Sequence, residues 1–310
     1  MGRFTNLTSP EIRTILTPYG VKDIVSHKIL SGGSANTNYL VTTNNKFFVL
    51  TICEEKSQKE TTELANLLMH LGENNFPTSK LISTINQELT SVWNNKPILL
   101  KEFIKGKIVQ NLSKSILIYL GKELGKLHQI KAPDYLPRKV AFGINHFDEV
   151  KTYASDSTFY KWLKHTQNYI ENHITIDLPK ALIHTDIFYN NIIIHEDGLR
   201  GSIMDFEEAC YYYRIFDIGM MIVGTCRDKE IINLDKVASL LEGYQNEINL
   251  LPIEKKSLKA FTVYAATATA FWRHQNYNHV NITPEKKGHY KEMKRLADSI
   301  MVMPDNWLYE

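Results

Sequence analysis

The sequence predicts an α+β protein in which a strand-rich first third precedes a mainly helical remainder. Two observations predict this division. Within 39–103, β-rich runs are separated by short turns that contain asparagine, which is typical of antiparallel hairpins. Beyond Ile104, apolar residues recur at helical spacing, and only 181–206 interrupts them with β-rich runs. We therefore expect an N-terminal lobe over 1–104 and a C-terminal lobe over 105–310.

The first lobe is predicted to contain two hairpins with a helix between them. In the first hairpin, 39–43 and 47–52 flank the turn Asn44-Asn45-Lys46, and asparagine tolerates the positive φ that a tight turn requires. The second hairpin pairs 89–93 with 97–103 across Asn94-Asn95. The helix between the hairpins is indicated by four leucines at helical spacing, Leu64, Leu67, Leu68 and Leu71.

The second lobe is predicted to be helical around one small sheet. Ser113 is a plausible N-cap for a first helix, and a long helix is expected near 255–277. Between them, 181–206 forms the only β island, and the dipeptide Asp197-Gly198 inside it is a strong turn signal.

Composition excludes several classes of protein. The 310 residues include 36 Lys+Arg against 34 Asp+Glu, a formal charge of +2, so nucleic acid is not expected as a partner. Three widely spaced cysteines indicate a reducing compartment. Since the longest apolar stretches are too short to span a bilayer and no signal peptide is visible, we expect a cytoplasmic protein without membrane contact. Both a monomer and a homodimer remain open.

Three oxygen-bearing side chains are expected to converge at one end of the β island. If the chain folds back about Asp197-Gly198, Asn191 lies opposite Met204, which brings its amide close to the carboxylate of Asp205. Asp186 lies on the loop just before. Such ligands suit Mg²⁺, and an unligated aspartate beside them can accept a proton from a substrate hydroxyl. The alternative is a surface loop in which these residues only cap turns.

These motifs resemble a known family. The pattern His184-x-Asp186-x-x-x-x-Asn191 with 203–206 (IMDF) is similar to phosphotransferases that include aminoglycoside phosphotransferases, choline kinases and type II homoserine kinases. Within the family, 31–43 (SGGSANTNYLVTT) and 205–210 (DFEEAC) most resemble homoserine kinases. The resemblance covers nearly the whole chain. It implies a two-lobed, protein-kinase-like fold and an enzyme that uses ATP and Mg²⁺.

The resemblance also implies roles for individual residues. Asp186 would be the catalytic base, with Asn191 and Asp205 as Mg²⁺ ligands. His184 and Asp217 would be structural, Asp217 as a buried aspartate that braces the loop. A plain N-cap role for Asp217 is an equally open alternative.

The nucleotide is expected to bind to the first lobe. Small residues after Leu30 suit a loop whose backbone amides approach phosphates. The strand lysine of protein kinases is replaced by Thr51, so Lys101 and Lys56 are candidate substitutes. The predicted nucleotide-binding residues are Ser31, Gly32, Gly33, Ser34, Asn36, Asn38, Lys101, Glu102 and Ile104.

The best acceptor candidate is L-homoserine, whose phosphorylation to O-phospho-L-homoserine belongs to threonine biosynthesis. Its carboxylate requires a cation, for which Arg214 and Arg273 are candidates, and its amine could meet Glu207 or Glu208. Three alternatives stay open. Aromatic residues near 211–213 and 271–277 allow a choline or ethanolamine kinase, an aminoglycoside kinase belongs to the same family, and Thr51 allows a catalytically silent nucleotide-binding protein.

Overall fold

The computed structural model describes residues 5–30, 36–305 and 307. The chain divides into two compact units, Met1–Lys105 and Gly106–Glu310, which are described separately below. An antiparallel sheet dominates the first and helices dominate the second, which confirms the predicted α+β, protein-kinase-like fold class.

The first unit is built on a five-stranded antiparallel sheet in the order β1-β2-β3-β5-β4. Both predicted hairpins are present, and Asn94 and Asn95 adopt φ of 47° and 62° in the second turn. The helix predicted from the leucines is α2. The short helix α1 and the strand β1 were not anticipated. The elements are α1 (Ser9–Leu16), β1 (Ile24–Ile29), β2 (Asn36–Thr43), β3 (Phe47–Cys53), α2 (Gln58–Glu73), β4 (Ser91–Trp93) and β5 (Lys96–Glu102).

The two faces of this sheet have different neighbours because successive side chains of a strand alternate between faces. Phe48, Leu50 and Ile52 of β3 join a core with buried residues of α1. Cys53 lies on the other face and packs with Leu99 of β5 and Ala65 of α2. The predicted nucleotide-binding side chains of β2 and β5 can therefore be assigned to a face from the strand register.

The second unit combines helices with three small sheets, one of which is the short pair of β11 and β12. The β island is split: β8 and β9 form a hairpin with β6 at its edge, whereas β7 pairs with β10. The elements are β6 (Gly106–Lys107), α3 (Lys114–Leu127), α4 (Lys151–Ala154), α5 (Thr158–Glu171), β7 (Lys180–Ile183), β8 (Ile192–His195), β9 (Gly201–Ile203), β10 (Cys210–Tyr213), α6 (Arg214–Thr225), β11 (Arg227–Asp228), β12 (Ile231–Ile232), α7 (Leu234–Gln245), α8 (Pro252–Gln275) and α9 (Tyr290–Met301).

Close packing of α3 on α7 depends on glycines. A Cβ atom on Gly121 would lie 2.1 Å from the Leu240 carbonyl oxygen, and one on Gly243 would lie 1.9 Å from that of Ile118. Only glycine allows backbones to approach so closely. The contact brings His128, the residue after α3, against Tyr244 near the end of α7.

Helix α6 runs through the centre of this unit and is buried along almost its whole length. Its Gly219 packs on the backbone of α8 at Phe261, and its Gly224 packs on the backbone of Ile187 and Phe188. Helix α6 therefore contacts the loop at 184–191, which joins β7 to β8. Among the described helices, none is long and apolar enough to cross a membrane.

Candidate active site

The loop at 184–191 is held by one buried carboxylate. Asp217 accepts hydrogen bonds from the backbone amides of His184 and Thr185, both at 2.7 Å. Thr185 has φ of 75°, a left-handed conformation that is costly for a β-branched residue. Asp217 lies inside the first turn of α6 and Tyr213 is the N-cap, so the alternative of a plain N-cap for Asp217 was wrong.

Asp217 is itself held by a chain of buried side chains. Its Oδ2 lies 3.4 Å from Nε2 of His128, whose Nδ1 lies 2.9 Å from the Tyr244 hydroxyl. Burial raises the pKa of Tyr244, so its hydroxyl stays protonated and donates to Nδ1. Nε2 then carries the imidazole proton and donates to the carboxylate. His128 and Tyr244 therefore orient Asp217, since His128 meets the same oxygen that accepts the His184 amide.

His184 connects the loop to strand β9. Its Nδ1 accepts from the backbone amide of Asp186 at 3.1 Å, so its Nε2 donates to the Met204 carbonyl at 2.6 Å. The ring also packs against Phe206, with 4.6 Å between centroids. The side chain is fully buried, in keeping with the structural role implied by the resemblance.

Asp186 and Asn191 lie in direct contact. Asn191 Nδ2 donates to the Asp186 carbonyl at 2.9 Å and to Asp186 Oδ2 at 3.0 Å. Both amide hydrogens are therefore used on Asp186, and Asn191 Oδ1 accepts one long hydrogen bond, from Asn190 Nδ2 at 3.4 Å. The hairpin register is the predicted one, since Ile192 pairs with Ile203 and the Met204 amide donates to the Asn191 carbonyl at 2.8 Å.

Asp205 follows β9 with φ of 69° and exposes its carboxylate. Within the described residues, this carboxylate has no hydrogen-bond partner, and its charge acts repulsively on Asp186. The Asp205 carboxylate and the Asn191 amide oxygen, which keeps a second lone pair, are oxygen donors of the kind that fits Mg²⁺. No cluster of three or more His, Cys, Asp or Glu side chains in the described chain could hold a metal, so a cation here would also need phosphate or water oxygens.

The pKa of Asp186 is raised above its ordinary value. Burial is the main cause, and repulsion by the Asp205 carboxylate adds to it. The hydrogen bond from Asn191 and the positive charge of Arg273 oppose the rise. A carboxylate with a raised pKa is a better proton acceptor, which suits general-base chemistry near neutral pH.

The four predicted acceptor-binding residues lie in different surroundings. Glu207 and Glu208 form the turn after Asp205, and the Glu208 carbonyl accepts from the Thr185 hydroxyl at 3.1 Å. Arg214 binds both oxygens of the fully buried Glu254 through Nε and Nη2, each at 2.7 Å. The ion pair therefore occupies Nε and Nη2 of Arg214, the two donors with which it could have bound a substrate carboxylate.

Arg273 has a different environment from Arg214. It contacts Glu292 of α9, and its charge reaches Asp186. Of the two predicted cations, Arg273 is therefore the one whose positive charge acts on Asp186, where it lowers the pKa.

In the first unit, Asn38 and Thr51 lie directly opposite each other on β2 and β3. The Thr51 hydroxyl donates to Asn38 Oδ1 at 2.7 Å. The strand register places Asn36 and Lys101 on the same face of the sheet, because Asn36 is two residues from Asn38 and Lys101 is opposite Val49. Thr51 therefore fixes Asn38 on the face of the sheet that also carries Asn36 and Lys101.

The structure describes only some of the other residues that were predicted to bind the nucleotide. Glu102 is opposite Phe48, so its side chain lies on the other face of the sheet, and Ile104 follows β5. Glu60, which could have paired with a phosphate-binding lysine, forms a capping box with Ser57 at the start of α2. Ser31, Gly32, Gly33 and Ser34 lie outside the described residues.

The sequence interpretation did not identify His128 and Tyr244 as parts of this site. His128 ends 120–128 (LGKELGKLH), a run that is similar to the central helix of this family, so a signal for it was available. No spacing rule pointed to Tyr244, because it lies 116 residues from His128.

The fold and this arrangement of side chains define a phosphotransferase of the protein-kinase-like class. The chain belongs to the phosphotransferase enzyme family, whose model matches residues 26–247. It is a small-molecule kinase that transfers phosphate to a hydroxyl group.

Curated relatives and solved structures agree with this family. The chain is 25% identical over 268 residues to homoserine kinase of Agrobacterium fabrum, covering 84% of this chain and 82% of the relative. It is 24% identical over 300 residues to homoserine kinase of Zymomonas mobilis, with coverages of 92% and 91%. The fold is similar to that of a spectinomycin phosphotransferase (17% identity, TM-score 0.69, 98% and 97% covered) and of a microcompartment-associated aminopropanol kinase (16%, 0.72, 94% and 95%).

Proposed function

We propose that this protein is an ATP- and Mg²⁺-dependent L-homoserine kinase that forms O-phospho-L-homoserine, a step of threonine biosynthesis. The observation that carries the chemistry is the contact of Asp186 with Asn191 beside the exposed carboxylate of Asp205. The homoserine kinases among its relatives, matched over most of their length, support the acceptor.

Asp186 acts as the general base in this proposal. Asn191 occupies Asp186 Oδ2, which leaves Oδ1 without a hydrogen-bond partner among the described residues. Oδ1 would accept the proton of the acceptor hydroxyl while the hydroxyl oxygen attacks the γ-phosphorus and the bond to ADP breaks. Its raised pKa favours that transfer.

Asn191 Oδ1 and the Asp205 carboxylate would hold Mg²⁺. The ion, when bound, neutralises negative charge on the phosphates as the phosphoryl group is transferred. Asp217 and His184 fix the backbone that carries Asp186 and Asn191, so most of the catalytic effect would come from positioning and electrostatics.

The nucleotide would bind to the first unit through the predicted loop residues 31–34, and through Asn36, Asn38 and Lys101 on one face of the sheet. Glu102 and Ile104 would contribute from the end of β5. Lys101 is the proposed phosphate cation, since Thr51 occupies the position of the strand lysine and is bonded to Asn38.

A coupled ADP-release assay tests the proposal. The panel is homoserine, choline, ethanolamine, aminopropanol and kanamycin, each with Mg²⁺, Ca²⁺ or EDTA. We expect Mg²⁺-dependent turnover with kcat/KM highest for homoserine. A higher kcat/KM for choline, ethanolamine or kanamycin would show that homoserine is not the acceptor. ATP binding without turnover of any acceptor would favour a catalytically silent nucleotide-binding protein.

A further inference from the structure

One carboxylate in the second unit is shared by two arginines. Glu292 of α9 binds Arg227 of β11 through Oε1 at 2.6 Å and Arg273 of α8 through Oε2 at 2.7 Å. The arginine side chains are mostly buried, with 13% and 18% of their surface exposed. Two positive charges face one negative charge, so the cluster carries a net charge of +1.

Both arginines have N–H donors that no described residue uses. Arg227 and Arg273 each use Nη1 only, for Glu292 and for one backbone carbonyl, that of Lys229 or His289. Their Nε and Nη2 atoms have no hydrogen-bond partner anywhere in the part of the chain that the structure describes. None of these four nitrogen atoms is fully buried, so they reach the solvent and are open to a ligand that a guanidinium can grip.

Other arginines of the same unit show the contrast. Arg214 uses Nε and Nη2 together on Glu254, and Arg295 uses the same two atoms on Glu230. This is the planar fork with which a guanidinium grips a carboxylate. In Arg227 and Arg273, the same two nitrogen atoms, Nε and Nη2, are unpaired within the described residues. These two arginines can therefore bind a carboxylate in the same way.

The cluster lies close to the loop that carries Asp186. Gly224, at the end of α6, is in backbone contact with Ile187, and Arg227 follows only three residues later. Three residues span at most about 11 Å. Arg273 is near enough for its charge to act on Asp186. The unpaired Nε and Nη2 atoms of both arginines therefore lie near the loop that carries Asp186, where the acceptor hydroxyl must be placed.

We propose that Arg227 and Arg273 together bind the carboxylate of an amino-acid acceptor, and that Glu292 positions both guanidinium groups for this contact. The inference rests on the proposed kinase function and names the residues that would distinguish hydroxyl-bearing amino acids from carboxylate-free alcohols. Acceptors without a carboxylate, such as aminopropanol and choline, would leave these donors unpaired and bind poorly.

The test compares Arg227→Gln and Arg273→Gln with the control Arg200→Gln, using homoserine and its carboxylate-free analogue aminopropanol. Each loss of a charged contact is expected to raise the homoserine KM about 10- to 100-fold. The kcat/KM for aminopropanol should change less than about threefold, and the ATP KM should stay constant. Arg200→Gln should change none of these values, because the exposed Arg200 pairs with Asp197 at the hairpin turn and does not interact with the two arginines or with Glu292.

Glu292→Gln tests the positioning role. It removes the charge that anchors both arginines, so the homoserine KM should rise while kcat is kept, and Glu292→Asp should restore part of the affinity. A kcat loss without a KM change would overturn this role.

Folding should survive single substitutions, since Glu292 keeps one arginine partner in each arginine variant. Melting temperatures check this point. If a glutamine variant unfolds, lysine is substituted at the same position instead. Lysine keeps the positive charge but lacks the two parallel N–H donors of the guanidinium, so the homoserine KM should still rise severalfold.

The outcomes separate this proposal from the proposed function. Wild-type turnover of homoserine with an unchanged KM in the arginine variants would overturn the carboxylate site and leave the kinase function intact. Wild-type turnover of carboxylate-free acceptors alone would overturn both. Preference for another carboxylate-bearing alcohol, lost in the arginine variants, would support the site and reject homoserine.

Discussion

Asp217 holds Thr185 in a left-handed backbone conformation by accepting its amide hydrogen at 2.7 Å. The same carboxylate accepts the amide of His184, and no other part of the described site fixes the loop as directly. Because this conformation costs about 1–3 kcal/mol for a residue other than glycine, the loop depends on a partner that compensates for it.

Asp217→Ala should therefore affect both folding and turnover. It leaves two buried amides and His128 without their acceptor, and we expect a loss of about 3–5 kcal/mol in the free energy of unfolding. In the fraction that folds, kcat should fall more than tenfold while the ATP KM stays constant. Urea denaturation and steady-state kinetics measure these effects.

The matched control is Asp235→Ala, which removes an exposed aspartate paired with Lys114. That change should alter stability by less than about 0.5 kcal/mol. Equal stability of the two variants would contradict the bracing role of Asp217.

Arg214 should behave as a structural residue. Arg214→Gln removes the only countercharge of the fully buried Glu254 carboxylate among the described residues and leaves it the Leu251 amide as a partner, so stability should fall by about 3–5 kcal/mol. Replacing both residues by leucine should recover much of that loss. The homoserine KM of the folded variant should stay within about twofold of wild type. A tenfold higher KM at unchanged melting temperature would instead make Arg214 the acceptor cation that the sequence predicted.

Thr51→Val tests the nucleotide face of the sheet. The change keeps the side-chain shape but removes the donor to Asn38, worth about 1 kcal/mol, so the ATP KM should rise about fivefold. The homoserine KM should not change. Thr61→Val is the control, since the buried Thr61 hydroxyl has no hydrogen-bond partner among the described residues. The same ATP KM in both variants and wild type would exclude Asn38 from nucleotide binding.

Acid should destabilise the protein through His274. Burial lowers the pKa of His274 to about 4 from an ordinary value of 6.5. Between these values, the unfolded chain binds the proton and the folded chain does not, so stability is full above pH 6.5 and is lost as pH falls toward 4. The loss amounts to about 3 kcal/mol.

His274 stacks on Phe159 with 4.0 Å between ring centroids, so phenylalanine fits the same surroundings. His274→Phe should flatten the dependence of the urea midpoint on pH between 6.5 and 4. The same substitution at the exposed His165 should leave that dependence unchanged. An equally steep curve for His274→Phe would assign the acid sensitivity to other groups.

Local signals predicted much of the fold and of the 184–191 loop. The Asp197-Gly198 turn fixes the hairpin register, and that register places Asn191 opposite Met204. Pairings between distant segments were not predictable, because no local pattern encodes them. Arg214 pairs with Glu254, which lies 40 residues further along the sequence, and Arg227 pairs with Glu292, 65 residues further along. These partners are determined by the packing of the helices.

The most direct test of the account is the turnover of Asp186→Asn. The variant is nearly isosteric and removes only the proton-accepting carboxylate, so folding and ATP affinity should match wild type. The account predicts that kcat for homoserine phosphorylation falls about 10²- to 10⁴-fold, the range of general-base contributions. Wild-type kcat in a correctly folded Asp186→Asn enzyme would contradict it.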